Sequence, residues 1–463
     1  VNVSVPLTLD AWSRRDFATR LFLILIIFGS LSGCYSQRPG AVVPAVARSF
    51  NELKNSIVEL RELSLNQDIT LRPAASDLST KELNHLYAKD FIPPPIDLVE
   101  RAYKRIGLLS ESADYAKART AYDRMEQLVF YDAQQRSVIV GPEAFRLGRG
   151  FAQGNPRMAQ EIPEVFGIVE ALQEQNFHWN EQLQSLLPQD NRLASQALAK
   201  GDATLVALAH ARGKKKVPTS AVDIQIIARL GAELEKSAAA LPAMLRQKLV
   251  FPYREGSQFV LWAYAAQGWR GVTELYADPP RSTSQILHPE RYFIRRENPL
   301  RIFPWGLIAR IKQSAVLEQT LGEAFSRLLI ASARSEKEAG EIASAWRGDQ
   351  LSAYQTGGNF VTVWISCWKN DGAARDFFRA YEAALAKRRR VRLEPSTAVK
   401  DSAQAELSGG RSLLLQVKRS FVLFLDGLPS AHSLEIADAT WSNLETDMEP
   451  TQIPLDLGQG PLQ

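Results

Sequence analysis

The chain has 463 residues, 45% hydrophobic and 23% charged, a composition that builds a large folded core and excludes a disordered or fibrous protein. Its net charge of +4 is small for this length and both signs are interspersed, so the sequence offers no nucleic-acid-binding face. Two cysteines, Cys34 and Cys367, are too few for a disulfide framework.

The first 34 residues read as a targeting segment. Arg14, Arg15 and Arg20 precede the apolar run LFLILIIF at 21–28, which is too short to span a bilayer as an ordinary helix. The run ends in Leu31-Ser32-Gly33-Cys34, which resembles the lipobox of bacterial lipoproteins. That resemblance implies export, a lipid on the Cys34 thiol and attachment to a membrane. The alternative is an uncleaved N-terminal anchor. Ser13-Arg14-Arg15-Asp16-Phe17 also resembles a twin-arginine export motif, with Ala18-Thr19 where that motif has Leu-Lys. A tether at 35–46, one folded domain at 47–430 and a C-terminal tail at 431–463, disordered from about residue 445, complete the expected organisation.

Within the domain, apolar spacing predicts helices at 50–65, 79–87, 95–106 and 118–128, with a strand at 68–71. Residues 137–140 read as a strand, either an ordinary one or a sheet edge open to an extended peptide. Ile162, Val165, Phe166, Val169 and Leu172 line one face of a helix over 161–177, with Pro163 near its start. Residues 191–211 form a helix rich in Ala and Gly, to which another helix can come close. Residues 222–249 read as one helix; 391–393, 412–417 and 421–425 read as short strands, with a turn at Gly409-Gly410. The basic runs 214–216 and 387–390 read as a solvated loop and a helix end, and Cys367 as a buried thiol.

The segment FGIVEALQEQNF at 166–177 resembles the active-site helix of exported bacterial zinc-metallopeptidase-like proteins of the HExxH (zincin) type, whose pattern is H-E-x-x-H-A-L-Q-D-Q-x-F. Ala199-Lys200-Gly201-Asp202-Ala203-Thr204 resembles the same family's E-G-D-A-T stretch. Phe251-Pro252-Tyr253-Arg254-Glu255-Gly256 and the run from Leu275 to Tyr292, with PPRSTSQILHPERY at its end, extend the resemblance. It covers roughly residues 50–425 and implies an α+β, helix-rich, zincin-like fold with a small sheet.

The resemblance also places the family's metal site, and there the chemistry is missing. A zinc hydrolase needs three protein ligands, an open position for water and a general base. The first ligand position holds Phe166, the base position Gly167, the second ligand position Glu170 and the third Lys200. Phenylalanine has no lone pair, glycine has no side chain, and the lysine ammonium repels a cation. Glu170 and Lys200 are expected either to pair where the metal would sit or to be separate surface charges. A makeshift site from Glu170, Asp202 and a histidine is a further alternative. Asp202 and His288 are candidate cleft residues; His288, before Pro289, equally suits a turn.

The expected function is that of a lipid-anchored, extracytoplasmic protein that keeps a peptidase scaffold without catalysis, cofactor or metal. It would bind an extended peptide or an envelope protein. A hydrolase of envelope peptides with a remodelled site, and a purely structural lipoprotein, are the alternatives.

Overall fold

A computed structural model describes residues 49–73, 94–126, 128–141, 144–152, 155–184, 189–213, 216–217, 221–395 and 401–447. Cys34, the tether, most of the basic run 214–216 and the helix expected at 79–87 lie outside these residues. No helix among the described residues is long and apolar enough to cross a membrane.

The fold is α+β. Its first half is mostly helical. Helix α1 (Phe50–Arg61) starts from a capping box, in which Ser49 and Glu52 satisfy each other's free backbone N–H groups. Strand β1 is Thr70–Pro73; α2 (Ile96–Arg105) and α3 (Tyr115–Glu126) follow. Strands β2 (Val129–Asp132) and β3 (Ser137–Val140) form a hairpin. Its turn is held by Asp132, whose Oδ1 accepts the N–H groups of Gln134 and Gln135. The three strands lie in the order β1-β3-β2, with β3 parallel to β1. Ser137–Val140 is therefore the central strand, paired on both sides, and cannot be an edge that accepts a peptide.

Helices α4 (Phe145–Ala152), α5 (Pro156–Phe177), α6 (Trp179–Gln184) and α7 (Gln189–Ala211) come next. Helix α5 begins five residues earlier than expected, at an Asn155 cap, so Pro163 sits two turns inside it. A proline there cannot bond the carbonyl of Ala159. Gly148 of α4 lies against that carbonyl: a Cβ on it would be 2.1 Å from the Ala159 oxygen.

The single helix expected at 222–249 is two, α8 (Ala221–Ser237) and α9 (Ala243–Glu274), separated at Ala238–Pro242; α9 itself kinks at Gln267 and Gly268. Helices α7 and α9 cross backbone to backbone. A Cβ on Gly201 would be 2.4 Å from the Gly256 carbonyl, and one on Gly256 would be 2.1 Å from that of Ala197.

The second half begins with α10 (Thr283–Leu287), α11 (Glu290–Phe293), β4 (Ile302–Pro304) and α12 (Trp305–Ile311). Then come β5 (Leu317–Gln319), α13 (Gly322–Ile330), α14 (Glu336–Ala343), β6 (Trp346–Thr356), β7 (Asn359–Trp368) and α15 (Asp371–Arg389). Strands β8 (Glu394–Pro395), β9 (Ser402–Leu407), β10 (Arg411–Lys418) and β11 (Phe421–Leu428) precede α16 (Ser430–Ser442) and β12 (Leu444–Thr446). Seven of these strands form one antiparallel sheet, β5-β6-β7-β11-β10-β9-β8. The sequence implied only a small sheet, and this larger one is an addition to it.

Strand β7 shows how the sheet is sandwiched. Phe360, Trp364 and Trp368 enter the large core shared with the helical half, whereas Val361, Val363, Ile365 and Cys367 enter a second core with Leu307 of α12 and Ile436 of α16. Asp349 ties β6 to the start of α13: its carboxylate accepts from the N–H groups of Leu321 and Gly322 and from the indoles of Trp346 and Trp364. One correction follows from this half. Residues 431–446, expected as a tail, are folded onto the sheet, with Ile436 and Ala437 buried. The basic run at 387–390 is the end of α15, as expected, and there Arg388 donates to the carbonyls of Gly107 and Leu328 and Arg389 pairs with buried Asp426.

Candidate functional site

The helices α5 and α7 carry the four positions singled out by the sequence. Phe166 is buried, with its ring edge-on to Phe151 at 6.3 Å and to Tyr253 of α9 at 5.8 Å. Gly167 faces the three-stranded sheet; a Cβ there would be 2.1 Å from Cγ1 of Val138. Glu170 and Lys200 form an ion pair, with side chains 17% and 21% exposed. The Lys200 ammonium also lies 5.9 Å from the centre of the Tyr253 ring. Phe166, Glu170 and Lys200 thus gather around Tyr253, while Gly167 lets the sheet close against α5.

Burial works against the Lys200 charge, but Glu170, Tyr253 and Glu126 outweigh it and hold its ammonium above the ordinary lysine value. Burial likewise pushes the Tyr253 phenol up, opposed by Lys200. Both groups keep their protons at neutral pH, which leaves a neutral phenol beside a closed acid–base couple.

The pair is part of a longer polar seam that was not expected from the sequence. Arg192, Gln196 and Lys200 recur every four residues and share one face of α7. Across from them, α3 carries Arg119, Tyr122, Asp123 and Glu126. Gln196 donates to Glu126 at 3.0 Å and Arg119 to Asp123 at 2.7 Å. Lys248 of α9 stands over the Tyr122 ring at 5.2 Å. The four-residue period of 192, 196 and 200 is a signal that the sequence carries; Lys248 has none.

Asp202 is not a cleft residue. It is two positions from Lys200, so it points to another side of α7, where it is fully buried in an ion pair with Arg61 at 2.8 Å. Tyr276 donates to it at 2.8 Å and Gln173 at 3.4 Å. Arg61, which packs over Trp269 and donates to Thr273, thus binds α1 to α7 and α9. His288 ends α10 and contacts Glu323 of α13 at 2.7 Å. Arg291 contacts the same carboxylate. The makeshift combination of Glu170, Asp202 and a histidine is not assembled, because these residues belong to separate clusters.

The residues around Tyr253 do not suit a divalent cation: an aromatic ring and an ammonium occupy two of the three ligand positions that the resemblance implies. Among the described residues, no group of three or more His, Cys, Asp or Glu side chains is arranged to hold a metal ion.

What fold and site define is an α+β protein with a polar, mixed-charge seam between four helices. Residues 310–435 match a family model described as a domain of unknown function (DUF8575). That stretch runs from α12 into α16 and holds the seven-stranded sheet, not the helices of the seam. No curated protein and no solved structure matches the chain.

Proposed function

We propose that this chain is a lipid-anchored, extracytoplasmic pseudo-metallopeptidase with a zincin-like helical half, which binds a polypeptide of the cell envelope without cutting it. The observation that carries the reading is the Glu170–Lys200 ion pair. It joins the two helices which, by resemblance, a metal would join, and it does so with a carboxylate already paired to an ammonium, which leaves no ligand set for a metal-bound water. A mostly buried pair of this kind holds helices in register while adding little net stability. An extended ligand would pair with β2, which among the described residues has only β3 beside it.

Elemental analysis of the purified chain, together with binding and cleavage assays on a panel of extended peptides, tests the proposal. Binding without cleavage and without stoichiometric zinc is the expected result. Zinc bound one to one and released by Glu170→Gln, or peptide cleavage lost in that variant, overturns it.

A further inference from the structure

Two cations share the ring of Tyr122. The Arg119 guanidinium is 5.8 Å and the Lys248 ammonium 5.2 Å from its centre. They differ in how they are neutralised. Arg119 holds Asp123 at 2.7 Å. Lys248 has no carboxylate within 4.0 Å among the described residues, although it is only partly exposed. A third cation, Arg192 of α7, and two acids of α3, Asp123 and Glu126, act on its charge from further off. An ammonium drawn out of water beside two guanidiniums is costly unless an anion joins it. Chain anatomy places this point on the seam: Gln196, one turn from both Arg192 and Lys200, bonds Glu126, one turn from Tyr122.

We propose that Lys248, with Arg119 and the Tyr122 ring, seats a carboxylate of the bound polypeptide, either its C-terminus or an acidic side chain. The proposal rests on the peptide-binding reading above and deepens it by naming the group recognised. A carboxylate accepts from the ammonium and from the guanidinium at once, so charge-assisted hydrogen bonds replace the lost hydration. The aromatic ring underneath keeps both donors in place by cation–π attraction. The lysine charge is already weakened: burial and the neighbouring Arg119 lower its pKa to about 8, against the opposing pull of Glu126. Occupation by an anion would raise it again.

The test uses the full chain with its lysines reductively methylated with 13C, so that the Lys248 resonance, assigned by its loss in Lys248→Arg, can be titrated. Acetate is expected to shift its midpoint upward. Short N-acetylated peptides with a free C-terminal carboxylate should do the same, and their C-terminal amides without acidic side chains should not. Affinity for the free acids should exceed that for the amides by about tenfold. Lys248→Met should abolish that preference and Lys248→Arg should keep it. An unmoved Lys248 midpoint in acetate, a response to inorganic phosphate alone, or an unchanged preference in Lys248→Met overturns the proposal. If acetate shifts Lys248 while no peptide of either kind binds, the seat stands and the peptide-binding reading fails.

Discussion

Lys200 of α7 donates to Glu170 of α5, so two helices that start 33 positions apart in sequence are joined by opposite charges. Both side chains are mostly buried, and Tyr253 lies against the ammonium. Lys200→Met should cost about 1–3 kcal/mol, because it strands a mostly buried carboxylate, whereas the double variant Glu170→Gln/Lys200→Met should recover about 1 kcal/mol of that. Urea unfolding of the four members of the cycle measures the coupling. The pH dependence follows from the raised Lys200 value. The pair's contribution is complete below the ordinary lysine pKa of about 10.4 and fades as the pH climbs through the higher folded one. A cycle measured near neutrality and again above pH 11 should show the coupling shrink at the alkaline end.

The same geometry predicts what restoring the ligands would do. The triple variant Phe166→His/Glu170→His/Lys200→Glu should bind one zinc per chain, since two imidazoles four residues apart on α5 and a carboxylate from α7 converge where Tyr253 now sits between ring and ammonium. Isothermal titration with zinc measures this; a folded triple variant that takes up no metal would sink the assignment of these positions. Hydrolysis should not return. A general base at 167 requires a Cβ where Val138 Cγ1 already lies 2.1 Å away. Gly167→Ala alone should therefore destabilise by about 1–3 kcal/mol through overpacking, and Val138→Ala should relieve part of it.

Much of this site is legible in the sequence alone. Helix α5 can be read because Ile162, Val165, Phe166, Val169 and Leu172 repeat at the helical period and are all buried. The close approach to α7 can be read from its alanines and glycines. The break at 238–242 also carries a signal, which the expectation of one helix over 222–249 passes over: Pro242 cannot continue a helix and instead caps the next one. Strand β6 escapes notice because Arg347, Asp349, Gln350 and Ser352 disguise a strand whose polar groups are satisfied by α13, Glu297 and neighbouring indoles. Asp202 misleads for a related reason. Its partner, Arg61, lies 141 residues away, and nothing local marks a carboxylate as the inside half of a buried pair.

That pair yields a third prediction. Arg61 and Asp202 are both fully buried, and one guanidinium nitrogen of Arg61 already lacks a partner. Asp202→Ala should cost about 3–5 kcal/mol by leaving an uncompensated guanidinium in the core. Replacing both with apolar residues, as in Arg61→Met/Asp202→Leu, should be far milder. Chemical denaturation decides between a structural and a functional Asp202. If Asp202→Ala unfolds at the parent's midpoint, its assignment as a structural ion pair is wrong.

Lys248 gives the last prediction, and its sign is opposite to that of Lys200. Its folded pKa, about 8, lies below the ordinary lysine value because burial and Arg119 penalise the charged form. Below pH 8 the folded chain bears the full penalty of that charge. Between about 8 and 10.4 the unfolded chain keeps a proton that the folded chain has released, so stability rises with pH, by at most about 1.4 kcal/mol per unit. Lys248→Met has no proton to lose there. The stability difference between parent and Lys248→Met should therefore favour the variant near neutrality and narrow as the pH is raised towards 10. Lys200 titrates alike in both chains and cancels from that difference. Equal slopes over this range would mean that Lys248 is hydrated or paired like any surface lysine. A bound carboxylate should flatten the slope, because it restores the proton to the folded state. The parent measured with and without acetate thus separates a lysine that is merely buried from one that is waiting for an anion.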